Sequence, residues 1–335
     1  MLTRRAIVGV AVAMPALILG RPAKAAKFSL KMGCDLVDTH PGVIRSREAA
    51  DAIRRETQGD VDIRIFPNNQ LGSAQEMLSQ IRNGAVDFYP AAAAGLSALV
   101  PVAGISSLGF AFSGYDQVWT SLDGKLGEFI RGEIAKTNSI IALDAMWDNG
   151  FRQITNSVRP IETPADLKGI KLRVPIAPMY TSMFAALGAA PTGLSIAELY
   201  TSLQTKLVDG QENPLVIIDL YKFYEVQKYC SLTNHMWDGW WILVNQRSWE
   251  RMPPELRNTV AGHLNEAARA MRADVAKLND GVTERLTKHG LAINKIADTS
   301  VFRQALRESG FYSKWRETYG AEAWSALEST TGPLI

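Results

Sequence analysis

The sequence predicts an α/β protein of two lobes with a ligand cleft between them. Short apolar strands alternate with amphipathic helices from Phe28 onward, the order that builds parallel sheets covered by helices. The chain of 335 residues is longer than one compact core usually holds. From Pro254 to about His289 apolar residues recur at helical spacing almost without a break, a length that suits a strut shared by both lobes.

Residues 1–25 read as a secretory signal: Arg4 and Arg5, an apolar run from Ala6 to Leu19, and Ala23-Lys-Ala25 as a small-x-small cleavage site. The apolar run is short for a membrane span. Thr3-Arg4-Arg5 also resembles a twin-arginine signal with an imperfect continuation, which leaves the export route open. Removing these residues takes away four basic side chains and no acidic ones, so the formal charge falls from +2 to about −2. That balance gives no support to a nucleic-acid partner.

In the first lobe, Phe28 to Met32 alternates as a strand, and Asp38-Thr-His40-Pro41 turns into a helix running to about Thr57. Val61, Ile63 and Ile65 mark the second strand. Ser73 and Glu76 form a capping box for a helix stopped by Gly84, and Val86 to Tyr89 is a short buried strand. Residues 116–137 read as one helix, and 140–146 as a strand that delivers Trp147 to its end. In the second lobe, Thr163 and Pro164 open a helix, Ile170 to Val174 is a strand closed by Pro175, and Ser195 and Glu198 cap a helix running to Leu207. Lys228 to Leu232 and Trp240 to Asn245 are expected as separate strands, with terminal helices after Ser300 anchored by Trp315 and Trp324. Lobe I is expected to hold residues 26–149 and 238–278, and lobe II residues 150–237 and 279–335, with crossings near Asn149, near Trp237 and in the long helix. Cys34 and Cys230 match no metal or redox spacing; two buried thiols outweigh a disulfide between segments so far apart.

No nucleophile elbow, zinc-binding helix, dinucleotide loop or phosphate loop occurs, and the four histidines are scattered. Neither catalysis, nor a metal, nor a cofactor is expected. What remains is recognition of an anion. Arg173 stands at the end of a short strand, where a proline stops the ladder and α/β sheets hold their ligands. Its planar fork matches a carboxylate in geometry and charge. By position alone such an arginine is more often a surface group.

The runs Gly150-Phe-Arg152-Gln-Ile-Thr-Asn156, Thr163-Pro-Ala-Asp-Leu-Lys-Gly169-Ile-Lys-Leu-Arg173-Val-Pro175, Ala197-Glu-Leu-Tyr200-Thr-Ser-Leu-Gln204 and Val208-Asp-Gly-Gln-Glu-Asn213 resemble, in order, the solute-binding subunits of TRAP transporters. These are tripartite ATP-independent periplasmic carriers of organic acids. The resemblance implies a periplasmic binding protein of the class II-like fold, one monomer working with membrane permease subunits. It implies that Arg173 holds a substrate carboxylate, that Arg152 assists and that Asn213 adds a polar contact. Ile176 and Ile196 are expected as apolar wall, and Trp147 and Trp240 as either cleft wall or core. Tyr89 and His40 end first-lobe segments facing the cleft, Tyr89 as a ligand donor or a structural phenol, and Asn68, Asn69, Gln75 and Glu76 are candidates for a ligand's far polar end or for helix capping, the latter favoured for Glu76. Together these favour a compact 2-hydroxy, 2-keto or aromatic monocarboxylate, with a uronate or other sugar acid as the alternative. A subunit that presents ligand to a sensor and a periplasmic enzyme are the other readings.

Overall fold

The computed structural model describes residues 25–335, so the expected export signal lies outside the described residues except for Ala25. The fold is α/β and two-lobed, built on one mixed sheet. Its strands are β1 (Phe28–Gly33), β2 (Val61–Phe66), β3 (Phe88–Ala92), β4 (Ile140–Ala142), β5 (Trp147–Asn156), β6 (Lys171–Val174), β7 (Ala190–Gly193), β8 (Gly210–Pro214), β9 (Tyr229–Asn245) and β10 (Ala292–Lys295). They run β2-β1-β3-β9-β5-β8-β6-β7, with β4 and β10 also paired to β9. The flanks are parallel, as strand-helix-strand order requires, whereas β9 pairs antiparallel with both β3 and β5.

β9 departs most from expectation. Asn234, Asp238 and Gly239 suggest a gap between two strands, yet residues 229–245 form one continuous strand. Its first half pairs with β5 and β10, and its second half with β3 and β4. The register slips between Asp148 and Gly150 and again between Arg152 and Ile154, so two bulges absorb the residues that interrupt the apolar pattern. Trp147 likewise begins β5 instead of ending the preceding strand, which is only three residues long.

Helix boundaries follow the caps. Both reciprocal boxes form, Ser73 with Glu76 and Ser195 with Glu198, and Gly84 closes the first of these helices at φ 84°. The segment expected as a single helix is two, Tyr115–Leu122 and Lys125–Ala135, broken at Asp123-Gly124. The second packs so closely on the end of the first that a side chain at Gly127 would collide with the Leu122 carbonyl. The strut is also shorter than its apolar pattern: Pro254–Asn279 is helical, Gly281 at φ 78° breaks it, and Val282–Lys288 starts anew. Pro254–Asn279 packs on helix Pro41–Glu56, on β5 and on helix Leu215–Leu220. Arg45 grips Asp274 of the strut at 2.6 and 2.9 Å.

The apolar core divides by sheet face. Phe88, Trp240 and Ile242 enter one cluster, while Tyr89, Trp241 and Leu243 enter the other, as the period of two demands. Cys34 and Cys230 are buried and free. Burial pushes the Cys230 thiol up to about 12 and the Cys34 thiol well above its usual range, so neither is poised to react.

The bulged crossing tolerates no extra atom. A Cβ at Gly239 would lie 2.1 Å from the Trp237 ring and 2.7 Å from the Trp147 carbonyl. Gly239→Ala is expected to lower the unfolding free energy by about 1–3 kcal/mol, read from urea denaturation midpoints.

Candidate ligand-binding site

A cavity of about 110 Å³ opens where the C-terminal ends of β1 and β6 meet the middle of β5 and β9. Its floor is charged. Arg152 on β5 is 3% exposed and sits in a cage made by its neighbour strands. Its Nε and Nη2 donate to the Glu212 carboxylate of β8, at 2.5 and 2.8 Å. Nη1 donates to Asp238 of β9 at 2.7 Å, and Nη2 donates further to the Glu212 carbonyl and to Asn213 Oδ1. The Tyr180 ring lies 5.2 Å from the guanidinium carbon. Burial opposes the charge on Arg152, but Glu212, Tyr180 and Asp238 outweigh it and hold the pKa above its ordinary value.

The carboxylates respond differently. Burial raises the Asp238 pKa despite its arginine partner. Burial acts the same way on Glu212, where Arg152 and His235 overcome it and hold the pKa below its usual range. His235 Nε2 lies 3.0 Å from Glu212 Oε2, and its Nδ1 lies 2.7 Å from the Thr233 hydroxyl. Because burial lowers its pKa, His235 is neutral and donates from Nε2 to the carboxylate while accepting from Thr233.

Arg173 differs in kind. It is equally buried at 3% exposure, yet its one side-chain hydrogen bond among the described residues runs from Nε to the Leu194 carbonyl, 2.9 Å away. Burial lowers its pKa to about 10, with Glu212 opposing and Arg152 adding to the fall. It stays charged at neutral pH and lines the cavity, and its two terminal nitrogens have no hydrogen-bond or ion-pair partner among the described residues.

Of the nine residues singled out in the sequence, Arg173, Arg152, Asn213, Trp240, Ile176 and Ile196 line this cavity. Arg152 and Asn213 do so with most of their polar capacity spent: Asn213 accepts from Arg152 and donates to Gln211 Oε1 at 2.6 Å. Trp147, Tyr89 and His40 do not line it. Trp147 is 1% exposed and packs in the core opposite Trp240. Tyr89 points to the other sheet face. His40 caps helix Pro41–Glu56, its Nδ1 accepting from Gly42 N at 3.1 Å, with burial lowering its pKa to about 3. Each is large enough for a core and lies near a strand end in sequence, and the core claims it.

Of the four polar candidates Asn69 and Gln75 reach the cavity, whereas Asn68 and Glu76 do not line it and Glu76 completes the capping box with Ser73. Asp35, Asn149, Tyr180 and Asp238 are cavity residues that sequence reasoning missed. Asp35 had a usable signal, since it follows the end of β1 by two residues, at the sheet edge where ligands bind. Asp238 had none, because its role depends on a strand 86 residues away.

Glu212→Gln removes the countercharge of a buried guanidinium and is expected to cost about 3–5 kcal/mol of stability by chemical denaturation. Asp148, beside the cavity, accepts from Trp237 Nε1 and Gly150 N, each at 2.9 Å, and burial pushes its pKa up to about 7. Between the unfolded carboxylate value of about 3.9 and about pH 7 the folded chain keeps a proton that the unfolded chain has lost, so this group's contribution to stability falls as pH rises. Asp148→Asn should therefore gain on the parent protein as pH goes from about 4 to 7.5, read as the difference between urea midpoints at each pH.

Residues 36–315 match the family model DctP, bacterial extracellular solute-binding protein, family 7. The 2,3-diketo-L-gulonate-binding periplasmic protein YiaO of Escherichia coli (strain K12) is 31% identical over 278 residues, covering 83% of this chain and 84% of its own. The C4-dicarboxylate-binding periplasmic protein DctP of Rhodobacter capsulatus is 29% identical over 343 residues, covering 99% of each. The crystal structure of a TRAP periplasmic solute-binding protein from Ralstonia eutropha H16 with bound (S)-2-acetolactate superposes with a TM-score of 0.86 at 29% identity, covering 90% of this chain and 98% of that one. With the family model spanning most of its length and this architecture shared, the chain belongs to bacterial extracellular solute-binding protein family 7, the DctP-type subunits of TRAP transport systems.

Proposed function

We propose that this chain is the periplasmic solute-binding component of a TRAP system, which takes up one compact organic acid on Arg173 and delivers it to the membrane permease. The observation that carries the reading is a buried, charged guanidinium with its terminal nitrogens unpaired at the edge of a small cavity. Drawing an anion out of water is costly unless fixed charge and donors replace its hydration, and this fork supplies both. Arg152 acts behind it. With its charge already matched by Glu212 and Asp238, it holds Asn213 and the cavity floor in place instead of gripping ligand.

The ligand is a monocarboxylate of the 2-hydroxy or 2-keto class, in keeping with the acetolactate held by the Ralstonia protein and with a cavity of about 110 Å³. A larger sugar acid is the second reading, favoured by the diketogulonate relative. Lobe I (residues 26–149 and 238–278) and lobe II (150–237 and 279–335) close over it, with Ile176, 49% exposed at the mouth, and Ile196 as apolar wall. The protein works as a monomer in the periplasm, where its named relatives reside, and releases the acid unchanged.

Arg173→Ala is expected to weaken binding of the organic acid by about 2–5 kcal/mol, roughly thirtyfold to several thousandfold. Arg173→Lys should also bind poorly, because a point charge does not copy the fork. Calorimetry with whichever acid raises the melting temperature most in a screen of organic acids checks both; parental affinity in either variant rules out the carboxylate clamp.

A further inference from the structure

The cavity presents both donors and acceptors that the protein leaves open. Among the described residues the terminal nitrogens of Arg173, the Tyr180 hydroxyl and the Gln75 amide line it without a hydrogen-bond partner. Its acceptors include two carboxylates. Asp238 Oδ1 is buried without a partner, in a residue 2% exposed that lines the cavity. Asn149 holds the other oxygen, its Nδ2 donating to Asp238 Oδ2 at 2.8 Å, while its own oxygen is turned to the His40 ring. Asn69 Oδ1 is a further buried acceptor without a partner, its Nδ2 turned to the Asp35 carbonyl.

Asp35 joins the same lining from the end of β1. Burial raises its pKa to about 6, with Asp238 adding to the rise and Arg173 opposing it, so it is mostly ionised at neutral pH. Among the described residues no arginine, lysine or histidine forms an ion pair with it. Charge counting sharpens the point. Arg152 is matched by Glu212 and Asp238, whereas among the described residues Arg173 and Asp35 line the cavity with no ion-pair contact, near enough for Arg173 to favour the Asp35 charge without touching it.

A buried acceptor left empty costs on the order of 1–3 kcal/mol, so the bound molecule is selected by what it can donate. We propose that the ligand carries one carboxylate for Arg173 and hydrogen-bond donors, hydroxyl or ammonium, for Asp35 and Asp238, and that Asp35 rejects dicarboxylates. The inference rests on the carboxylate reading of Arg173 and narrows it. A second ligand carboxylate would meet acceptors and a like charge. A purely apolar or aromatic tail would leave the acceptors unpaired, whatever Ile176, Ile196 and Trp240 offer it.

The test holds chain length fixed while changing what the carbon chain carries beyond its carboxylate: hydroxyls, an ammonium, nothing or a second carboxylate. Calorimetry at pH 7.5 compares D-erythronate, 4-aminobutanoate, butanoate and succinate, and then gluconate, 6-aminohexanoate, hexanoate and adipate. In at least one set a donor-bearing acid should bind at least about tenfold tighter than both the plain acid and the diacid. Asp35→Ala should shrink that gap to within about threefold. Asp35→Asn, which keeps an acceptor and loses the charge, should spare a hydroxy acid and penalise an amino acid, which tells the two donors apart. Melting curves establish that both variants are folded, as expected for a side chain making no hydrogen bond to another side chain. Equal or tighter binding of a diacid or plain acid overturns the proposal, as does an unchanged ranking in Asp35→Ala or binding by none of the eight acids. Failure of the underlying clamp looks different: Arg173→Ala would then bind like the parent, whatever the ranking.

Discussion

The ion cluster of Arg152, Glu212 and Asp238 is the constraint on which the rest of the site depends. It joins β5, β8 and β9 at one point, with each partner 3% exposed or less. Buried ion pairs are weak sources of stability, because desolvation consumes most of the attraction, but they punish any arrangement that separates them. Here that fixes register. A slip of one residue in β5 would send Arg152 to the opposite face and leave two carboxylates buried without a cation. The bulges in β5 therefore sit on either side of Arg152, at positions where the ladder yields without moving the guanidinium.

Satisfying Arg152 internally is what gives Arg173 its chemistry. Two guanidinium groups share the cavity, and the protein supplies carboxylates to one of them. The result is one guanidinium whose terminal nitrogens remain open, with the Asp35 and Asp238 carboxylates in the same lining. Such a site reads charge and hydrogen-bond sense together, and the apolar wall of Ile176, Ile196 and Trp240 adds contact area without setting polarity.

Local features of this fold were legible in the sequence. Capping boxes at Ser73 and Ser195, the left-handed stop at Gly84 and the strand end at Arg173 each depend on residues within a few positions. Features that depend on distant partners were not. Asp238 and Gly239 look like a loop until Arg152 supplies a charge and the Trp237 ring covers the missing Cβ. Arg152 and Arg173 look alike in sequence, and only partners 60 and 86 residues from Arg152 separate their roles. His40, Trp147 and Tyr89 show the same limit, since a residue near a strand end faces the cleft or the core according to a side-chain direction that spacing does not reveal.

The continuous crossing of β9 beside β5 also carries a mechanical consequence. Two strands laced together by ladder hydrogen bonds form a ribbon that is stiff to sliding along its length and compliant to flexing across its width. Any relative movement of the two ends of this sheet would therefore be easier as a bend or torsion than as a slide, and easiest at the slips at Asp148/Gly150 and Arg152/Ile154, where the lacing is interrupted. Those slips flank Arg152, so the charged cluster of the cavity floor stands where the lacing is interrupted, while Ile176 stands at the exposed rim.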